Sequence, residues 1–169
     1  MNESESTRKH KASAPSRLGF SVFIVSSSRF QDLKLGKSVE DPSGDLIVDL
    51  LEEAGHHVVF RKVLPDNKQM IEANLTRALD SSGVDVVVFA GGTGVASGDV
   101  TVEAVSPFLE KKLLGFGEFF RRLSFDKVGS AALLSRALAG VAKGKAVFCV
   151  PGSPDAVRLC VERLILPEA

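Results

Sequence analysis

Four stretches of the chain are apolar with little or no interruption: Gly19–Ser27 (GFSVFIVSS), His57–Leu64 (HVVFRKVL), Val84–Gly91 (VDVVVFAG) and Lys145–Gly152 (KAVFCVPG). Short runs of this kind, rich in Val, Ile and Phe, predict strands buried on both faces. Elsewhere apolar residues recur at helical spacing. Ile47, Leu50, Leu51 and Ala54 form one stripe, with Asp41 and Pro42 at its start and Gly55 placed to end it. Ile71, Leu75, Ala78 and Leu79 form a second; Val102, Val105 and Leu109 a third; Phe116, Phe119, Phe120 and Leu123 a fourth. The last stripe is Val157, Cys160, Val161 and Leu164, opened by Ser153 as a cap and Pro154 at the first helical position. A further helix is predicted over Ser130 to Ala139. Ser28 to Val39 shows no period and is expected to be a loop.

Strand and helix therefore alternate. Strands that do not alternate in and out need helices on both faces, so the pattern predicts an α/β fold with a largely parallel sheet. Residues 18–169 are expected to form one domain, since no linker divides them. The opening segment, MNESESTRKHKASAPSR, reads as a disordered polar tail over residues 1–17.

Composition narrows the function classes. Lys plus Arg and Asp plus Glu are each 21 in 169 residues, so no basic excess points to nucleic acid or a membrane surface. No apolar stretch approaches the roughly 18 residues of a membrane helix, and the start has no signal-peptide core. Cys149 and Cys160 do not form a C-x-x-C pair and are expected to be buried thiols in a reducing cytoplasm. His56 and His57 precede the second strand, which puts them at the edge opposite the expected site; His10 falls in the tail. No Ser-His-Asp or Cys-His arrangement is visible at the expected site.

In an open parallel sheet, ligands bind beyond the carboxyl ends of the strands. Four loops should converge there: SSSRF, PDN, GGTGVASGDVT and PGSPD. Gly91, Gly92 and Gly94 permit close backbone approach, and their amides could face an anion. The spacing matches neither the Walker nor the dinucleotide fingerprint, so a plain tight turn is the alternative. Asp66 and Asp99, from two of these loops, could together hold Mg²⁺ against a triphosphate. Each also has a structural reading. Asp66 could cap the helix near Lys68, and Asp99 sits just before a helix that Thr101 could cap, with Glu103 favouring its positive end. Arg136, with Ser135 beside it in LLSRAL, suits phosphate; its alternative is a solvated helix face.

Several longer motifs then occur in order: DPSGDLIVDLLEEAGHHVV, GGTGVASGDVTVEAV, GFGEFFRRLSF, LLSRALAGV and VPGSPDAV. Together they make the chain, from about Gly19 onward, resemble the MoaB/MogA family of molybdenum-cofactor biosynthesis proteins, nearer its MoaB branch. The resemblance implies a three-layer α/β/α fold in a homotrimer or homohexamer. It implies molybdopterin binding and, in active members, transfer of an adenylyl group from MgATP to the terminal phosphate of molybdopterin, with release of pyrophosphate. Molybdenum or tungsten would then enter through a downstream metal-insertion partner. By motif match, Asp66 and Asp99 correspond to the family's two acidic positions and would organise Mg²⁺ and ATP. Gly91, Gly92, Thr93 and Gly94 would cradle phosphate, Thr101, Ser135 and Arg136 would fix the pterin phosphate or nucleotide, and Gly152, Ser153 and Pro154 would form the far wall. One departure stands out: many members carry a basic residue where this chain has Gly98, and glycine there resembles a branch in which adenylyl transfer is not general. Retention of Asp66 in LPDN favours an active transferase over a non-catalytic molybdopterin carrier.

Overall fold

A computed structural model of the chain describes residues 16–169; most of the expected tail, with His10, lies outside the described residues. The four apolar runs form β1 (Gly19–Val25), β2 (His57–Leu64), β3 (Val86–Ala90) and β6 (Lys145–Val150). They are mutually parallel in the order β2-β1-β3-β6. Every residue of β1 and β3 is buried, as covering on both faces requires. At the outer edge, β2 carries exposed Arg61 and Lys62, charges that discourage pairing with a further strand.

Each face of the sheet has its own core. On one, Phe20, Val22 and Ile24 of β1 pack with Ile47 and Leu51 of α2 (Pro42–Glu53), Phe116 and Phe120 of α5 (Leu114–Val128), and Val157 and Cys160 of α6 (Pro154–Cys160). On the other, Phe23 and Phe89 stack with centroids 4.9 Å apart. They meet Ile71, Leu75 and Leu79 of α3 (Lys68–Asp80) and Ala104 and Val105 of α4 (Thr101–Val105). The result is the three-layer α/β/α arrangement. Asp41 caps α2 by accepting from the Gly44 amide, and Gly55, at φ +89°, follows its end.

Two predicted elements are corrected. The expected loop over Ser28–Val39 contains helix α1 (Ser27–Lys34), in which no residue is buried, so it has no apolar stripe to read. The expected helix over Ser130–Ala139 is a 3-10 segment (Gly129–Leu134) followed by strand β5 (Leu138–Ala142). β5 runs antiparallel to β6, and the two-residue β4 (Lys111–Lys112) runs antiparallel to β5, making the six-stranded sheet mixed at one end. LAGVA is small and mostly not β-branched, which hides it. A Cβ at Gly140 would lie 2.4 Å from the Lys111 carbonyl oxygen, so the small residue sets the strand approach.

Two stripes also shift. Ile165, not Leu164, is buried at the end of the last helix, because a π turn (Val161–Ile165) adds residues to the turn. In α5, Phe116 and Phe120 enter the core while Phe119 is 59% exposed. Cys149 and Cys160 are buried and free, and burial pushes both thiols up, keeping them protonated. No helix among the described residues is long and apolar enough to cross a membrane.

His56 and His57 lie at the amino edge of the sheet, where His57 pairs with Gly19. The Leu18 amide donates to His56 Nδ1 at 3.2 Å, so the ring is held neutral with its proton on Nε2. Burial, and then the neighbouring His57, lowers the His56 pKa. The fold therefore disfavours the charged ring. Stability from this source should be complete above about pH 6.5 and fall as pH drops through the lower folded value. Thermal unfolding between about pH 7.5 and pH 5 should show that decline, and His56→Gln should flatten it.

Candidate active site

The four parallel strands bring Ser26–Ser27, Pro65–Asn67, Gly91–Thr101 and Pro151–Ser153 to one rim. Gly91 is where they touch. Its amide donates to the Val150 carbonyl at 3.0 Å. Its φ is +107°, and a Cβ there would lie 2.3 Å from the Val25 carbonyl oxygen. A Cβ on Gly152 would lie 3.0 Å from the Gly91 Cα. The glycine loop is thus wedged between the ends of β1 and β6, a constraint tighter than an ordinary turn.

Thr101 is fully buried and closes the loop: its hydroxyl donates to the Gly91 carbonyl at 2.8 Å and its amide to the Gly92 carbonyl at 3.0 Å. Capping by Thr101 is therefore not observed; Val100 holds the cap position of α4 and makes no side-chain cap. Asp66 is not a cap either. Asn67 caps α3 through the Met70 amide. Asp66 Oδ2 instead accepts from the Ser27 amide at 3.0 Å and the Ser27 hydroxyl at 2.7 Å, and that hydroxyl accepts from the Asp66 amide at 2.9 Å. This reciprocal pair fixes the loop after β2 to the start of α1.

Asp66 Oδ1 is turned toward the glycine loop, 3.1 Å from where a Gly92 Cβ would stand. Asp99 lies against the same loop two residues on: its Oδ2 would be 2.7 Å from a Gly94 Cβ and accepts from the Ala96 amide at 2.9 Å. The two carboxylates thus flank residues 92–94. They do not line one closed hollow. A depression of about 390 Å³ is bounded by Ala96, Asp99, Glu103 and Arg136, without Asp66. A hollow of about 580 Å³ between α1 and β2 touches no part of the glycine loop.

Arg136 is on no helix. It leads into β5, and its amide donates to the carbonyl of buried Thr93 at 3.0 Å. Its guanidinium binds the Gly94 and Asp99 carbonyls and pairs with Glu103. Those bonds hold Glu103 below the usual carboxylate range. Ser135 Oγ is buried without a partner among the described residues. It borders a cleft of about 280 Å³ shared with Ser124, Lys127, Ser153 and Asp155. Ser153 caps α6 through the Ala156 amide, with Pro154 at the first position.

Sequence reading missed three contributors. Ser27 closes an apolar run, and nothing local marks it as the partner of Asp66. Buried Ser43 donates to the Gly152 carbonyl at 2.7 Å, joining α2 to the fourth loop. Its place in D-P-S-G was the available signal. Glu103 reads as a helix-end charge until Arg136 is seen beside it.

Residues 21–169 match the family model described as "Probable molybdopterin binding domain". Molybdenum cofactor biosynthesis protein B of Bacillus subtilis (strain 168) is 42% identical, the alignment covering 96% of this chain and 92% of that protein. A probable molybdopterin adenylyltransferase of Methanocaldococcus jannaschii is 43% identical over 85% of each. A crystal structure of a molybdenum cofactor biosynthesis protein B superposes with a TM-score of 0.82 at 41% identity, covering 92% of both chains. The fold, the motif order and these likenesses agree: the chain belongs to the molybdopterin-binding domain family of molybdenum cofactor biosynthesis proteins.

Proposed function

We propose that the chain is a molybdopterin adenylyltransferase of molybdenum (or tungsten) cofactor biosynthesis. The observation that carries this reading is the pair Asp66 and Asp99 set against one glycine loop, at Gly92 and Gly94. A terminal phosphate oxygen of molybdopterin attacks the α-phosphorus of ATP. The bond from that phosphorus to the bridging oxygen breaks, and pyrophosphate leaves with the electron pair. The attacking oxygen is already anionic, so the protein supplies position and charge neutralisation rather than a strong base.

The donor set suits Mg²⁺. Among the described residues no cluster of three or more His, Cys, Asp or Glu could cage a metal. Mg²⁺ bound with a nucleotide needs only one or two carboxylates, the rest being phosphate and water. Asp66 and Asp99 each use one oxygen in a protein hydrogen bond and keep Oδ1 without one among the described residues. The metal would neutralise phosphate charge. Gly91, Gly92, Thr93 and Gly94 supply the close backbone surface for phosphate. Gly152, Ser153 and Pro154 form the opposite wall, and Ser135 lines the same cleft as Ser153. Incubation with molybdopterin, ATP and Mg²⁺ should yield adenylylated pterin and pyrophosphate in equal amounts. Pterin binding with no pyrophosphate would instead establish the carrier reading, which glycine rather than a basic residue at position 98 favours.

We place the protein in the cytoplasm, where two free buried thiols are stable. Leu114, Phe119, Phe125, Val128, Leu133 and Leu134 are more than half exposed along α5 and the 3-10 segment after it. An apolar surface of that extent is characteristic of a subunit contact. The proposal is a homotrimer or homohexamer, and sedimentation velocity should show no monomer at micromolar concentration.

A further inference from the structure

We infer that Arg136 is a positioning residue: it clamps the Gly94–Asp99 segment of the glycine loop, with Glu103 as its anchor, and does not itself bind substrate phosphate. Nε donates to the Gly94 carbonyl at 2.7 Å, and one terminal nitrogen donates to the Asp99 carbonyl at 3.1 Å. Those carbonyls are the two ends of the segment, and the planar fork spans them. The Arg136 backbone amide extends the clamp to Thr93. Both terminal nitrogens then engage Glu103, one at each carboxylate oxygen. Of the five N–H groups of a guanidinium, four are thereby committed. One N–H remains, so a phosphate could pair bidentately with the group only by displacing the Glu103 carboxylate.

The clamp explains how Asp99 keeps its place. Among the described residues its carboxylate is held only by the Ala96 amide, within its own turn. Among the described residues, the hydrogen bonds that tie the two ends of that turn to the rest of the protein are those of the Gly94 and Asp99 carbonyls with Arg136. Lysine cannot replace it, because a single ammonium lacks the fork that reaches both carbonyls and the carboxylate.

The catalytic consequence rests on the adenylyltransferase reading, so the test has two arms. In steady-state assays, Arg136→Lys and Arg136→Ala should both lower kcat by about 10- to 10²-fold, the scale of a misplaced reacting group, with KM for molybdopterin changed less than about 3-fold. Glu103→Gln should lower kcat in the same direction. A direct phosphate ligand would behave otherwise: lysine would retain most activity, KM would rise, and Glu103→Gln would tighten molybdopterin binding. Either of those results overturns the inference. In the second arm, amide hydrogen exchange of the unliganded protein should accelerate by about 10-fold or more over residues 94–100 in Arg136→Lys and stay unchanged in β1 and β3. If the parent protein shows no turnover, the adenylyltransferase reading fails and this arm alone decides. Unchanged exchange in the loop rejects the clamp, and accelerated exchange supports it.

Discussion

Asp66→Asn is expected to reduce adenylyl transfer by about 10²-fold or more, the size of a lost electrostatic group at a reacting centre, while the protein stays folded. The substitution separates the two things Asp66 does. Its Oδ2 takes two hydrogen bonds from Ser27, and an asparagine carbonyl oxygen can accept both. What asparagine cannot supply is negative charge beside Gly92. Asp66→Ala removes both functions and leaves the Ser27 amide without its acceptor, adding a stability loss of about 1–3 kcal/mol. The comparison is read from pyrophosphate release and from thermal unfolding on the same samples. Equal activity in the parent and Asp66→Asn would show that the charge is idle and that Asp66 serves only to pin the loop after β2.

Gly91→Ala should produce the largest loss of stability from a single methyl group at the rim, about 3 kcal/mol, at the upper end of the cost of an unfavourable backbone region. Two costs coincide. At φ +107° a side chain is strained wherever it points, and here the methyl would lie 2.3 Å from the Val25 carbonyl oxygen. Relief would require β1 or β3 to move, and both are buried along their whole length. For a chain of this size the melting temperature should drop by roughly 6–12 °C. Gly98→Ala is the internal control: its Cβ would meet nothing within 4 Å, so its effect should stay within about 0.5 kcal/mol. Similar melting temperatures for the two variants would mean that the wedge at Gly91 is not a constraint.

What could be read from the chain followed from burial. β1, β3 and β6 were legible because covering on both faces writes an apolar run. α2 and α3 were legible because one buried stripe repeats at helical spacing. α1 was not, since it buries nothing. β5 was not, since Gly140 and its small neighbours are selected by close approach to β4 rather than by apolar bulk. At the site, the convergence of loops after parallel strands follows from topology alone, which brings Asp66 and Asp99 to one rim, and the motif resemblance gives both the family's acidic positions. Local reading offers helix caps for Asp66 and Thr101, because a capping pattern depends on neighbours in sequence. Their actual partners, Ser27 and the Gly91 carbonyl, lie 39 and 10 residues away. The bond from Arg136 to the Asp99 carbonyl spans 37 residues. No window of sequence contains that information.

Asp66 and Asp99 are proposed to serve a common metal–nucleotide complex at the glycine loop. The most direct measurement is the rate of pyrophosphate release from MgATP and molybdopterin for the parent, Asp66→Asn, Asp99→Asn and the double variant. Groups that act as a unit lose no more together than the worse one loses alone. The prediction is therefore a loss of about 10²-fold or more in each single variant and a double variant within about 3-fold of the slower single. Losses that multiply in the double variant, or a parent protein that releases no pyrophosphate, would contradict it.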